Sequence, residues 1–167
     1  STPNPEQALF WAERAISGLE KKARDGSASS AKTLGRLYRD GEFMTADRAL
    51  ARDWFLRSAD LGDAGAMHDL ALMMLATSDD KDTVQEALKW LRLAAKAGHG
   101  GALTGLARLH LKEKHGLDAD AAVELLERGV AAGHPGAMEE LGRLYAKGRL
   151  VEQNRTKAFE LARKGAD

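Results

Sequence analysis

The sequence predicts an all-α fold, a solenoid assembled from helix pairs with about nine helices in all. Two observations carry this. Self-comparison sets Leu34, Leu70, Leu106 and Leu141 in register at steps of 36, 36 and 35 residues, with Ala51, Ala87, Ala122 and Ala158 in a second register. Gly62, Gly98 and Gly133 then close successive units at the same step. A fixed period in this range marks units that each bury an apolar face on their neighbours.

Residues 1–26 read as a leading half-unit that acts as a cap. Pro5 sits in a first helical turn, where its missing N–H costs nothing. Ala8, Trp11, Ala15 and Ile16 match Ala51, Trp54, Ser58 and Ala59 of a later second helix. Trp11 to Leu34 is 23 residues where later units use 16, and the seven extra are about two helical turns. Glu20, Lys21, Lys22 and Arg24 are therefore expected to extend the helix into solvent, ending at Asp25-Gly26.

The first full unit, 27–62, places Ser30, Leu34, Leu37 and Tyr38 on one helical stripe, with Asp40-Gly41 as its stop. Thr45 or Asp47 caps the partner helix, which packs through Leu50, Ala51, Trp54, Phe55 and Ala59. Unit 63–98 repeats this with Ala66, Leu70, Met73 and Met74, then Ala87, Trp90, Leu91, Ala94 and Ala95. In unit 99–133 the residues are Ala102, Leu106, Leu109 and His110, then Ala122, Leu125, Leu126 and Val130. Unit 134–167 carries Ala137, Leu141, Leu144 and Tyr145, then Ala158, Leu161 and Ala162. Terminal repeats normally have a polar outer face. The outer side of this unit is expected to be adhesive, or the chain to be a fragment of a longer array.

Composition narrows the function. Lysines and arginines number 25 and so do the acids, so no bulk field draws the chain to nucleic acid or anionic lipid. There is no cysteine, which removes disulfides, thiolate catalysis and cysteine metal sites while leaving the compartment open. No apolar run approaches the roughly 18 residues of a membrane span.

The pattern Ala-x-x-x-Leu-Gly-x-x-Tyr, as in Ala137 to Tyr145 and with Ser30 leading in Ser30 to Tyr38, is followed by a loop, Ala-x-x-Trp and a closing Ala-x-x-Gly. It resembles the Sel1-like repeat family, relatives of the tetratricopeptide repeat. Met74 and His110 depart from the tyrosine, Ala71 and Ala107 from the glycine, and Leu125 and Leu161 from the tryptophan. The resemblance implies a right-handed superhelical solenoid of antiparallel helix pairs. Columns of small residues, Gly35, Ala71, Ala107 and Gly142 on first helices and Ser58, Ala94, Gly129 and Gly165 on second helices, let the backbones nest.

In tetratricopeptide arrays the first helices line a concave groove that receives a partner's segment. The corresponding residues here are Lys32, Arg36 and Arg39; His68, Leu72 and Leu75; Thr104, Arg108 and Lys112; and Glu139, Arg143 and Lys147. Arg36, Arg108 and Arg143 share a column that Leu72 interrupts, so an acidic segment with one apolar anchor would suit such a groove. The alternative is a solvated helix face. The resemblance implies a non-catalytic adaptor, scaffold or inhibitor, including proteins that neutralise a bacterial toxin or enzyme. A hidden enzyme or small-ligand module is the competing class.

Catalytic readings find little support. Gly98-His99-Gly100-Gly101 follows a helix rather than a strand and reads as a turn. His110 and His115 with Glu113 do not share a helix face for metal binding. No cofactor, metal or catalytic residue is expected, and neither nucleic acid nor membrane insertion. The partner is another protein or peptide segment, with self-association through the C-terminal repeat as an addition. Beginning at Ser1, the chain fits a cleaved signal, methionine removal or trimming, and the compartment lies between the bacterial periplasm or envelope, preferred, and the cytoplasm.

Overall fold

The computed structural model describes residues 4–41, 45–112 and 119–166. Every regular element among them is a helix: α1 Pro5–Arg24, α2 Ala28–Asp40, α3 Arg48–Asp60, α4 Ala64–Thr77, α5 Lys81–Lys96, α6 Gly100–Leu111, α7 Ala121–Ala131, α8 Pro135–Lys147 and α9 Arg155–Lys164. The chain forms two compact units, one ending at Met73 and the other beginning at Met74. In the first, α2 packs on α1 and α3; in the second, α6 packs on α5, α7 and α8, and α8 on α7 and α9.

Local chemistry sets the helix ends. Ser27, Asp47, Asp80 and Asn154 each accept a backbone N–H at the start of their helices, and Asp47, rather than Thr45, caps α3. At the ends, Gly62 (φ 90°) and Gly98 (φ 81°) take the left-handed conformation that a β-carbon disfavours. Asp63 N–H then reaches Ser58 O and His99 N–H reaches Ala94 O, satisfying carbonyls the helices leave open. His99 caps α6 in turn, its Nδ1 accepting from Ala102 N–H at 3.2 Å. The glycine-rich stretch 98–101 is thus a turn and a helix start.

In the first unit Ala23, Ala31 and Leu34 are fully buried, with Ile16, Leu19, Tyr38 and Trp54 packed around them. The two-turn extension of α1 is only partly solvated. Ala23 belongs to the core, and Glu20 is half-buried, accepting from the Tyr38 hydroxyl at 3.4 Å. Trp11 departs from its match to Trp54: it is 62% exposed and meets Phe10 edge-on at 5.4 Å. Trp54, by contrast, packs against the core of Ala23, Ala31 and Leu34.

Small residues do allow close approach. A β-carbon at Gly35 would lie 2.6 Å from the buried Phe55 ring, and one at Gly129 only 2.7 Å from the Ala137 methyl. The latter seam joins a second core of Ala107, Ala122, Leu126, Ala137, Leu141 and Leu144. Buried Ser58 is satisfied by donating to Ala28 O at 2.8 Å. Trp54 and Trp90 bury an indole N–H that has no hydrogen-bond partner among the described residues.

A further column was not anticipated. Arg57 donates to Ala23 O at 3.1 Å and Arg24 O at 3.0 Å, closing the end of α1, and Arg128 donates to Ala95 O at 3.0 Å near the end of α5. Cations are favoured at a helix C-terminus by its dipole as well as by these bonds. The sequence carries the signal, since Arg57, Arg92, Arg128 and Arg163 recur at the repeat step.

Candidate interaction surface

The residues expected on the first helices lie there, but several face the next first helix rather than open solvent. In the first unit Lys32 Nζ bonds both oxygens of Asp63, at 3.0 and 2.8 Å, and Arg36 Nε bonds Asp69 Oδ2 at 2.8 Å. Arg39 pairs with its neighbour Asp40 at 2.7 Å and stands 5.8 Å over the Phe55 ring. His68 Nδ1 lies 3.4 Å from Asp69 Oδ1. Leu72, one turn beyond Asp69, is 45% exposed.

In the second unit Arg108 Nε reaches Glu140 Oε1 at 2.7 Å, and Arg143 meets Glu139 at 3.2 Å and Glu140 at 3.1 Å on its own helix. Glu140 is therefore shared between two guanidinium groups. Lys112 and Lys147 are exposed and Leu75 is half-buried. Thr104 departs from the expected solvent-facing column. It is 2% exposed; its hydroxyl donates to Gly100 O at 2.9 Å and lies 3.0 Å from His134 Nδ1. A short side chain at this position is covered by the start of the following first helix, where a long one would reach the rim.

The electrostatics follow from these pairs. Burial alone would push Asp63 and Asp69 upward, but it is outweighed. Lys32 and the Ala66 N–H hold Asp63 below the ordinary carboxylate range, and His68 and Arg36 do the same for Asp69. The acids Asp63, Asp69 and Glu140 were missed by a reading that followed columns only within a helix. Their signal was available: Asp69 and Glu140 each directly precede a register leucine, Leu70 and Leu141.

Among the described residues no group of three or more histidines, aspartates or glutamates is placed to hold a metal ion. Glu113 and His115 lie outside the described residues. No helix among those described is long and apolar enough to cross a membrane.

Paired helices at a fixed step, with cross-helix ion pairs at recurring positions, define a helical-repeat scaffold of the kind that binds other proteins. The chain belongs to the Sel1 repeat family, whose pattern matches residues 1–18, 31–63, 64–99, 102–134 and 135–167; Sel1 repeats are protein-interaction modules.

Solved structures agree on the fold. A Sel1 repeat protein from Oxalobacter formigenes is 22% identical with a TM-score of 0.75, covering 84% of this chain and 58% of its own. The immunity protein Pa5087 from Pseudomonas aeruginosa is 22% identical with a TM-score of 0.66, covering 99% of this chain and 67% of its own. The protective antigen c5321 of uropathogenic Escherichia coli is 21% identical with a TM-score of 0.55, covering 96% and 44%. This chain thus spans less than two thirds of the Oxalobacter and Escherichia proteins. No curated protein matches it.

Proposed function

We propose that this chain is a non-catalytic protein-interaction module that takes a partner segment on its first-helix faces. In the first unit the contact centres on Leu72, with Arg36 and Arg39 at its edge. In the second it centres on Lys112 and Lys147, with Arg108 and Arg143. The observation that carries the reading is Leu72, an apolar side chain 45% exposed one helical turn from an arginine–aspartate pair. Such a spot suits an apolar anchor flanked by acidic groups. Inhibition of a bacterial toxin or enzyme through the same surface is the second reading, favoured by the fold shared with an immunity protein over 99% of the chain.

The test is affinity capture with the chain as bait beside a Leu72→Ser, Lys112→Glu, Lys147→Glu variant of unchanged helicity. These positions are preferable to Arg36 and Arg108, whose reversal would set a carboxylate against Asp69 or Glu140 and disturb a seam. Capture of a partner by the parent alone is the expected result. Equal capture by both removes the first-helix faces from consideration.

A further inference from the structure

The helices α1, α3 and α5 end in the same turn. After α1, Gly26 N–H reaches Ala23 O and Ser27 N–H reaches Lys22 O; after α3, Gly62 reaches Ala59 O and Asp63 reaches Ser58 O; after α5, Gly98 reaches Ala95 O and His99 reaches Ala94 O. Ala23, Ala59 and Ala95 are therefore equivalent, and so are the residues that follow them, Arg24, Asp60 and Lys96. Two of these three ends receive a guanidinium. Arg57 spans Ala23 O and Arg24 O through Nε and Nη2, and Arg128 binds Ala95 O. No described side chain donates to Ala59 O or Asp60 O. The register shows why. Arg57 and Arg128 each stand six residues after a register alanine, Ala51 and Ala122, whereas six residues after Ala87 the chain has Leu93, with Arg92 one residue to its side.

The charge at the end of α3 is also reversed. α1 finishes with Lys21, Lys22 and Arg24 and α5 with Lys96, the sign that a helix C-terminus favours. α3 finishes on Asp60, and the cation of its last turn, Arg57, is already engaged on α1. Asp53 and Asp60 are both exposed and form no ion pair among the described residues. A cleft of about 390 Å³ lies here, lined by Asp53, Leu56, Arg57, Asp60 and Leu61, the last 46% exposed. We infer that this cleft binds an arginine of a partner protein, which closes α3 as Arg57 closes α1.

The chemistry selects arginine. A planar guanidinium can bond two successive carbonyls at once, as Arg57 does, and a carbonyl oxygen that already accepts one N–H keeps a second lone pair. The Asp60 carboxylate supplies the opposite charge, and Leu56 and Leu61 cover the aliphatic stem. A lysine would bring the charge without the paired donors. Asp53 stands seven residues before Asp60, about 10 Å along the helix axis, which suits a second basic residue three positions away on an extended segment.

This inference goes beyond the first-helix contact and uses none of Leu72, Lys112 or Lys147, so either test can fail alone. The probe is the peptide acetyl-Arg-Leu-Leu-Arg-amide, titrated into the full ¹⁵N-labelled chain and followed by amide shifts. Saturable shifts centred on residues 53–62 are expected. Asp60→Lys, which gives α3 the charge that α5 carries at Lys96, should weaken binding at least fivefold, and the milder Asp53→Asn at least twofold. The same peptide with lysines for arginines should bind at least threefold more weakly. Absence of saturable shifts at 53–62, equal binding by the parent and Asp60→Lys, or equal binding of the arginine and lysine peptides overturns the inference. So does a parent dimer in sedimentation that Asp60→Lys dissociates, which would assign the cleft to a second copy.

Discussion

Replacing Gly129 and Gly105 by alanine, one at a time, separates seam packing from helix propensity within one unit. Both glycines are helical, and each substitution gains about 0.5–1 kcal/mol from a stiffer unfolded chain and better helix propensity. At Gly105 a new methyl meets nothing within 4 Å, so that gain stands alone. At Gly129 the methyl would lie 2.7 Å from the Ala137 β-carbon, against an ordinary contact of about 3.4–4 Å. Neither carbon has a torsion to rotate away, so α7 and α8 must separate by roughly 1 Å, an overpacking cost of about 1–3 kcal/mol. Gly105→Ala should thus be more stable than the parent, and Gly129→Ala less stable than Gly105→Ala by about 1–3 kcal/mol. Urea melts followed by far-UV circular dichroism give the comparison. Adding Ala137→Gly to Gly129→Ala should recover the overpacking part in a double-mutant cycle. If Gly129→Ala melts with or above Gly105→Ala, nesting is not what that glycine provides.

Three further outcomes are expected. Arg57→Met keeps the side chain's length but leaves Ala23 and Arg24 carbonyls without their donor, and should cost about 1–2 kcal/mol by thermal melt; no loss would reduce the arginine column to coincidence. Asp63 and Asp69 are held below their ordinary pKa in the folded chain. Their stabilisation is complete above about pH 4 and is lost as pH falls through the folded values, so Asp69→Asn should lose less stability than the parent on acidification. The Ser78 hydroxyl, followed by Thr83, lowers Asp80 to about 2; Ser78→Ala should raise the carboxyl titration seen by NMR toward 3.8, and an unmoved value would remove the hydroxyl from the account.

The helix pairs were legible because two signals repeat with the period. Register leucines mark the face that must leave water, and the closing glycines Gly62, Gly98 and Gly133 mark where a left-handed residue follows α3, α5 and α7. The face carrying Lys32, Arg36, Thr104 and Arg108 was legible as a set of columns and illegible as a contact. A helical period fixes the angle of a side chain about its own axis and leaves open what stands opposite. The distance from Arg36 to Asp69 is 33 residues in sequence and 2.8 Å in space, and only the stacking of α4 on α2 connects them. Thr104 shows the same limit from the other side, since a polar residue in a charged column looks exposed until the start of α8 covers it. Trp11 was not legible from its match to Trp54: it is 62% exposed, whereas Trp54 packs against the core of Ala23, Ala31 and Leu34.

The arginine closure has a direction in time as well as in space. Arg57 lies 33 and 34 residues after the carbonyls it binds, and Arg128 lies 33 after Ala95. During synthesis, then, α1 and α5 emerge from the ribosome with their final carbonyls still bound to water. Each receives its cation only when another 33 or so residues have been added. At these two places the growing array is one repeat short of closure, and the later helix finishes the earlier one.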